Sequence, residues 1–215
     1  MTRPILAAAL FSFHAVAAES PWIPLFDGKS LDGWTSPTGG APGAGWKVED
    51  GSIHRAAAAG DLISAEEYED FELEFEWKIS AKGNSGVKYR VQKSPGGWLG
   101  PEYQVLDDAG HPNGKVADTT AASLYEVVPA AKDKNLQPAG EWNRSRIIAK
   151  GTVLEHWLND KLALRIDTAG EEWPDLKKAS KFSKAEDFAA PAPGRLLLQD
   201  HGDAVWFRKL RVRKL

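Results

Sequence analysis

The stretch Phe71-Glu72-Leu73-Glu74-Phe75-Glu76-Trp77-Lys78-Ile79 decides the fold class. Successive side chains of a β-strand point to opposite faces. Phe71, Leu73, Phe75, Trp77 and Ile79 therefore share one face, and Glu72, Glu74, Glu76 and Lys78 share the other. Alternation this regular predicts a long strand with one buried face. Glu72 and Glu74 are expected to be surface charges.

Working outward, the same period recurs. Val87 to Gln92 sets Val87, Tyr89 and Val91 against Lys88, Arg90 and Gln92. Trp46 to Glu49 and Ser52 to Arg55 flank Asp50-Gly51, a strong two-residue hairpin signal. Arg146 to Ala149, Thr152 to Leu158 and Lys161 to Ile166 read as a meander turning at Lys150-Gly151 and Asn159-Asp160. Leu196 to Gln199 and Val205 to Val212 are the last pair. The alternation slips near Phe207-Arg208, which predicts a bulge. Trp173 to Ser180 predicts a short helix, Ala56 to Tyr68 is ambiguous, and Ala189 to Gly194 reads as a loop. No internal repeat or domain boundary is visible. Many short strands with Gly and Pro turns predict an all-β sandwich or jelly roll.

Composition bounds the function. Of 215 residues, 42% are hydrophobic and 27% charged, as in ordinary globular proteins, and the length suits one sandwich or barrel domain. A net charge of −3 gives no basic footprint for nucleic acid. The absence of cysteine removes a thiol nucleophile, a disulfide framework and a cysteine metal site. Nine tryptophans offer flat ring faces that can pack on sugar C–H groups, and Trp98 is a candidate substrate-binding residue. Residues 1–18 read as an export signal. Arg3 is the positive start, Ile5 to Val16 is mostly apolar, and Ala15-Val16-Ala17 is a small-x-small cleavage site. The apolar run is too short for a permanent span. Residues 19–215 are then one domain, expected in the periplasm or secreted, without membrane attachment. A cysteine-free exported chain suits a bacterial periplasm.

The segment Gly100-Pro101-Glu102-Tyr103-Gln104-Val105-Leu106-Asp107-Asp108, followed by His111, carries the functional signal. As a strand it turns Tyr103 and Val105 inward and sets Glu102 and Gln104, about 6.5–7 Å apart by strand rise, on the opposite surface. A carboxylate, an amide and an imidazole near one strand end can bind a polyol or move protons. Equally, such a stretch can be a solvated sheet face ending in a turn.

Five motifs in order then point to a family. They are Phe26-Asp27-Gly28-Lys29-Ser30-Leu31-Asp32-Gly33-Trp34, Asn84-Ser85-Gly86-Val87-Lys88-Tyr89-Arg90, Gly100 to Asp107, Val153-Leu154-Glu155-His156-Trp157-Leu158-Asn159, and Gln199-Asp200-His201-Gly202-Asp203. Together they resemble the 3-keto-disaccharide hydrolase family across nearly the whole chain after the signal. The resemblance implies a concanavalin A-like jelly-roll β-sandwich of two antiparallel sheets, exported by bacteria, acting on glycosides oxidised at C3.

That substrate class implies a chemistry. A ketone at C3 acidifies the proton on C2, so a base can generate an enolate and expel the aglycone from C1; water then adds. The route needs a base near C2, a cation or metal at O3, and an acid near the leaving oxygen. Glu102 is the first choice of base, and Gln104 can bind a sugar hydroxyl. Lys88 and Arg90 share a face and are candidate enolate stabilisers. Their bland reading is solvated surface charge. His156 lies between Leu154 and Leu158, a setting more typical of a core histidine, but with Gln199 and His201 it becomes a candidate acid or ligand. His201, in a Gly-containing turn, could equally be a loop contact. Gln199 is a substrate-binding candidate.

No established metal motif is present. Asp107, Asp108 and His111, or His156 with His201, are the weak candidates for a divalent ion; the sequence itself requires no cofactor. Two other readings stand beside the enzyme on 3-keto-glycosides. One is a noncatalytic carbohydrate-binding module. The other is a conventional endoglycosidase, disfavoured because sandwich glucanases carry acids at positions one, three and six of the motif, and position six here is Trp77 or Ile79, depending on the starting residue. The partner in each case is a carbohydrate.

Overall fold

The protein is described by a computed structural model covering residues 20–215. The export signal read over residues 1–18 lies outside the described residues.

Among the described residues the strands are β1 (Ile23–Pro24), β2 (Trp34–Thr35), β3 (Trp46–Glu49), β4 (Ser52–Arg55), β5 (Leu62–Tyr68), β6 (Phe71–Ile79), β7 (Asn84–Ser94), β8 (Gly97–Leu99), β9 (Glu102–Leu106), β10 (Asn143–Lys150), β11 (Val153–Leu158), β12 (Lys161–Asp167), β13 (Gly194–Leu198) and β14 (Val205–Lys214), with one α-helix, α1 (Trp173–Ala179), and two short 3-10 turns at Pro112–Lys115 and Ala117–Thr119. An eight-stranded sheet runs β12-β11-β10-β6-β14-β4-β3, with β1 added to β14. A six-stranded sheet runs β2-β5-β13-β7-β8, with β9 also on β7. All pairings between these strands are antiparallel. This is the two-sheet jelly-roll sandwich that the alternation predicts.

The core is the aromatic and aliphatic half of each alternating strand. Phe71, Leu73, Phe75, Trp77, Val87, Tyr89, Tyr103 and Val105 are all essentially solvent-free. Buried polar tips find partners, as such groups must: the Tyr103 hydroxyl bonds Ser145 Oγ at 2.7 Å, and Trp77 Nε1 donates to the same oxygen at 2.8 Å. The hairpin read from Asp50-Gly51 joins β3 to β4 with positive φ at both residues (49° and 69°), as a type I′ turn requires. Asn159-Asp160 repeats this between β11 and β12, with φ of 46° and 65°.

Three local readings change. The ambiguous Ala56 to Tyr68 resolves as loop followed by β5, which gains two neighbours, β2 and β13. The bulge predicted near Phe207-Arg208 falls between Arg208 and Arg211, where Lys209 has φ 52°. Glu72 and Glu74 are not surface charges. They are buried on the outward side of β6 beneath arginines of its two neighbours. Arg146 and Arg213 hold Glu72. Arg144 and Arg211 hold Glu74, and Arg208 and Lys209 hold Glu76. Sequence alternation fixed their face; only the flanking strands could supply the cover.

Candidate active site

The outer face of the six-stranded sheet gathers most of the proposed residues. β7 and β9 pair so that Lys88 lies opposite Glu102 and Gly86 opposite Gln104. Directly opposed residues share a face. On the other side of β7, Lys88 faces Leu197 of β13. Gln199 follows two residues later and donates its backbone N–H to Gly86 O at 2.9 Å. One row is therefore Leu197-Lys88-Glu102, and the next is Gln199-Gly86-Gln104.

Glycine is needed at 86. A Cβ there would stand 2.8 Å from the Glu102 carboxyl carbon and 2.9 Å from its Cγ. The Glu102 side chain thus lies over the bare backbone of Gly86, and only 6% of the residue is exposed. Lys88 Nζ is 3.6 Å from Glu102 Oε2. Burial raises the Glu102 pKa above the ordinary carboxylate value, against the lowering pull of Lys88 and Lys181. A carboxyl raised in this way is the more basic for it.

A polar chain continues from Gln104. Its Nε2 donates to Asn84 Oδ1 at 3.2 Å, and Asn84 Nδ2 donates to His201 Nε2 at 3.4 Å. Gln104 Oε1 and Gln199 Oε1 are buried without a hydrogen-bond partner among the described residues, as are Ser123 Oγ and His54 Nε2 elsewhere. Buried polar atoms in native proteins are nearly always satisfied, and the two amide oxygens beside the Glu102 carboxyl could accept from hydroxyl donors. Beyond Leu197 the face turns apolar. Ile63, Val91 and Leu197 form a small cluster against which Trp98 packs, its Nε1 donating to Pro37 O at 3.0 Å. Glu102, Lys88, Gln104, Gln199, His201 and Trp98 therefore belong to one surface.

Arg90 and His156 do not. Arg90 has φ 47°, and β7 carries an extra residue there relative to β13. The bulge takes Arg90 off the face of Lys88. Its guanidinium instead donates to Glu69 O at 2.7 Å and Gly151 O at 2.9 Å and pairs with Asp70. His156 points between the sheets with Leu154 and Leu158. Its Nδ1 bonds Ala122 O at 3.0 Å and its Nε2 meets the Tyr89 hydroxyl at 2.9 Å. Burial lowers its pKa to about 4, so the ring is neutral. The two histidines lie on opposite sides of the small sheet, and the expected convergence of both on Glu102 does not occur.

The metal candidates serve turns. Asp107 accepts from Lys82 N at 2.7 Å and Ala109 N at 3.2 Å, and His111 Nδ1 accepts from Asn113 N at 3.1 Å. Asp108 pairs with Lys134 and caps Ala121 N. Among the described residues no group of three or more His, Asp or Glu side chains could hold a metal ion.

Sequence reasoning missed Asn84, Lys181 and Asp61, the last a carboxylate whose charge acts on Glu102. Asn84 was recoverable, since it lies two and four residues before Gly86 and Lys88 on the same strand face. Asp61 sits just before β5, in the segment whose pattern was ambiguous. Lys181 comes from the irregular segment after α1, stacked over Tyr125 at 4.1 Å, and no local pattern marks it.

Fold and site together define a carbohydrate-active β-sandwich. The chain belongs to the 3-keto-alpha-glucoside-1,2-lyase-like domain family, whose pattern matches residues 21–213. It is 35% identical over 249 residues to a 3-keto-disaccharide hydrolase of Bacteroides thetaiotaomicron, covering 100% of this chain and 85% of that protein. A Parabacteroides distasonis structure designated a glycosyl hydrolase matches with a TM-score of 0.81 and 31% identity, over 90% of this chain and 94% of the other. A second one from the same organism matches with a TM-score of 0.72 and 26% identity, over 91% and 100%. The protein is a glycoside-cleaving hydrolase by family. Among the described residues no helix is long and apolar enough to cross a membrane.

Proposed function

We propose that the enzyme cleaves 3-keto-glycosides, 3-keto-disaccharides among them, by abstraction of the C2 proton, elimination of the aglycone and addition of water. The observation that carries this reading is Glu102: a buried carboxyl with a raised pKa, one lysine beside it, and open amide acceptors in the neighbouring row. Glu102 takes the C2 proton. Lys88 Nζ, on the same face, stabilises the charge that develops on O3, which is what a cation is worth most for in a desolvated site. Gln104 and Gln199 accept hydrogen bonds from ring hydroxyls, and Trp98 with Ile63 and Leu197 gives an apolar surface for the sugar's C–H groups. The route needs no cofactor, since Lys88 supplies the positive charge. The name and 35% identity of the Bacteroides relative support the same substrate class.

A binding module is disfavoured, because binding alone does not call for a buried carboxyl beside a lysine with its pKa raised. A conventional glycosidase is disfavoured further, because the acids of β6 are committed to ion pairs. The export signal read from the sequence supports a reaction outside the cytoplasm.

The test compares a 3-keto-disaccharide with its unoxidised parent, in deuterated water and in the presence of a chelator. Cleavage of the oxidised sugar alone, with deuterium at C2 and no loss on chelation, is the expected result. Cleavage of the parent, or C1 cleavage with C2 unlabelled, would overturn it.

A further inference from the structure

Asp61 extends the second row of the site by one strand. Leu198 pairs with Leu62 and Leu197 with Ile63, so the next step sets Asp61 opposite Gln199. The row then reads Asp61, Gln199, Gly86, Gln104 across four adjacent chain segments. Its centre is the bare backbone of Gly86, covered by the Glu102 carboxyl. Two strand spacings, about 10 Å between backbones, separate Asp61 from Gly86, with Gln199 between them on the same face.

The chain holds Asp61 by a reciprocal clamp. Asp61 Oδ1 accepts from Asp200 N at 2.9 Å. The Asp200 carboxylate in turn accepts from Ala59 N at 2.7 Å and Gly60 N at 2.9 Å, and pairs with Arg55. This fixes the residues leading into Asp61 and leaves Asp61 Oδ2 without a hydrogen bond among the described residues. Lys88 acts on Asp61 as well as on Glu102, and the Asp61 charge raises Glu102 further. Burial raises the Asp61 pKa above the ordinary value. The open Gln199 Oε1 belongs to the neighbour between Asp61 and Gly86.

We propose that Asp61 is the catalytic acid that protonates the departing glycosidic oxygen, across the sugar from Glu102. The assignment rests on the elimination route proposed above. The C2–H bond breaks and its proton goes to Glu102; the electron pair passes through the C3 enolate and forms the C1–C2 double bond. The C1–O bond breaks with its pair on the aglycone oxygen, which takes the Asp61 proton. Water then adds its oxygen to C1, giving its proton to the Asp61 carboxylate, while Glu102 returns its proton to C2. Both carboxyl groups end as they began, and the sum is hydrolysis. No histidine is needed as the acid.

The test is leaving-group dependence. Asp61→Asn keeps the acceptor for Asp200 N but has no proton to give. Turnover of a 3-keto-disaccharide should fall about 10²-fold or more, the ordinary share of general acid catalysis. First-turnover release of 4-nitrophenolate from a 4-nitrophenyl 3-keto-glucoside, whose aglycone leaves as an anion, should stay within tenfold of wild type, and deuterium should still enter C2. Should this variant not fold, Asp61→Ser, which can also accept from Asp200 N, is read in the same way. Equal losses on both substrates, or full activity on the disaccharide, would overturn the assignment while leaving the substrate class intact. A wild-type enzyme inert on both 3-keto substrates would overturn the substrate class and the assignment together.

Discussion

The outer faces of the two sheets are both rich in charge, and they are built in opposite ways. On the eight-stranded sheet each glutamate of β6 meets two cations: Glu74, for example, lies 3.0 Å from Arg144 and also pairs with Arg211. Burial pushes Glu74 and Glu76 upward, but their arginine and lysine partners outweigh it and hold both below the ordinary value. Tryptophans complete the cover, with Arg146 over Trp157 at 4.2 Å and Arg208 over Trp142 at 3.8 Å. On the six-stranded sheet Glu102 has one ion-pair partner at 3.6 Å, and its pKa stays raised. Two amide oxygens there have none. A face whose charges are satisfied contributes to the fold. A face that holds a carboxyl with a raised pKa beside unpartnered amide oxygens is the better placed to take a ligand, in keeping with the rule that perturbed groups cluster where chemistry occurs.

Three measurements would break or sharpen this contrast. The largest effect is expected at Glu102. Glu102→Gln should lower turnover on a 3-keto-disaccharide by about 10²–10⁴-fold while leaving the fold as stable or more so near neutral pH. The sign follows from linkage. With its native pKa raised, Glu102 binds its proton more tightly in the folded state, so wild-type stability falls as pH climbs from the unfolded value towards the native one. The variant lacks that loss, and its advantage should vanish below about pH 4.5, the unfolded glutamate value. Urea unfolding across pH reads this directly. A large loss of stability with the loss of activity would make Glu102 a structural ion.

A smaller effect belongs to the core between the faces. His156 has a native pKa of about 4 against 6.5 unfolded, so the unfolded chain binds the extra proton. Its contribution is complete above pH 6.5 and is lost as pH falls towards 4, by about 3 kcal/mol in all. His156→Gln, which cannot titrate, should flatten the stability profile in that window and leave turnover on a 3-keto-disaccharide within a few-fold of wild type at neutral pH. A loss like that of Glu102→Gln, with the fold intact, would return His156 to the chemistry.

The smallest effect lies on the paired face. Glu74→Gln leaves Arg144 and Arg211 without their carboxylate, but both guanidiniums are nearly half exposed and can be solvated. A loss of about 1–2 kcal/mol in stability is expected, between the exposed and buried limits for ion pairs, with turnover unchanged. A drop in turnover like that of Glu102→Gln would show that the two faces are not independent.

The sequence by itself determined the strands, their inward faces and much of the site. Period-two alternation fixes which side of β6, β7 and β9 is core, because a strand cannot bury both sets of side chains on the same face. Asp50-Gly51 and Asn159-Asp160 encode their hairpins through the positive φ that these residues accept. Glu102 and Gln104 were legible for the same reason, being two residues apart on one strand. Tertiary structure decided everything that depends on neighbours distant in the chain. Lys88 opposite Glu102 follows from the β7–β9 register, and Gln199 and Asp61 join the site only because β13 and β5 pair beside β7. Arg90 left the site through a bulge that alternation could not display, and His156 kept the face its sequence gave it, which proved to be the core. Local pattern reports the direction in which a side chain leaves its strand. What it meets there is set by pairing across tens of residues, and so are its solvation, its charge state and its chemistry.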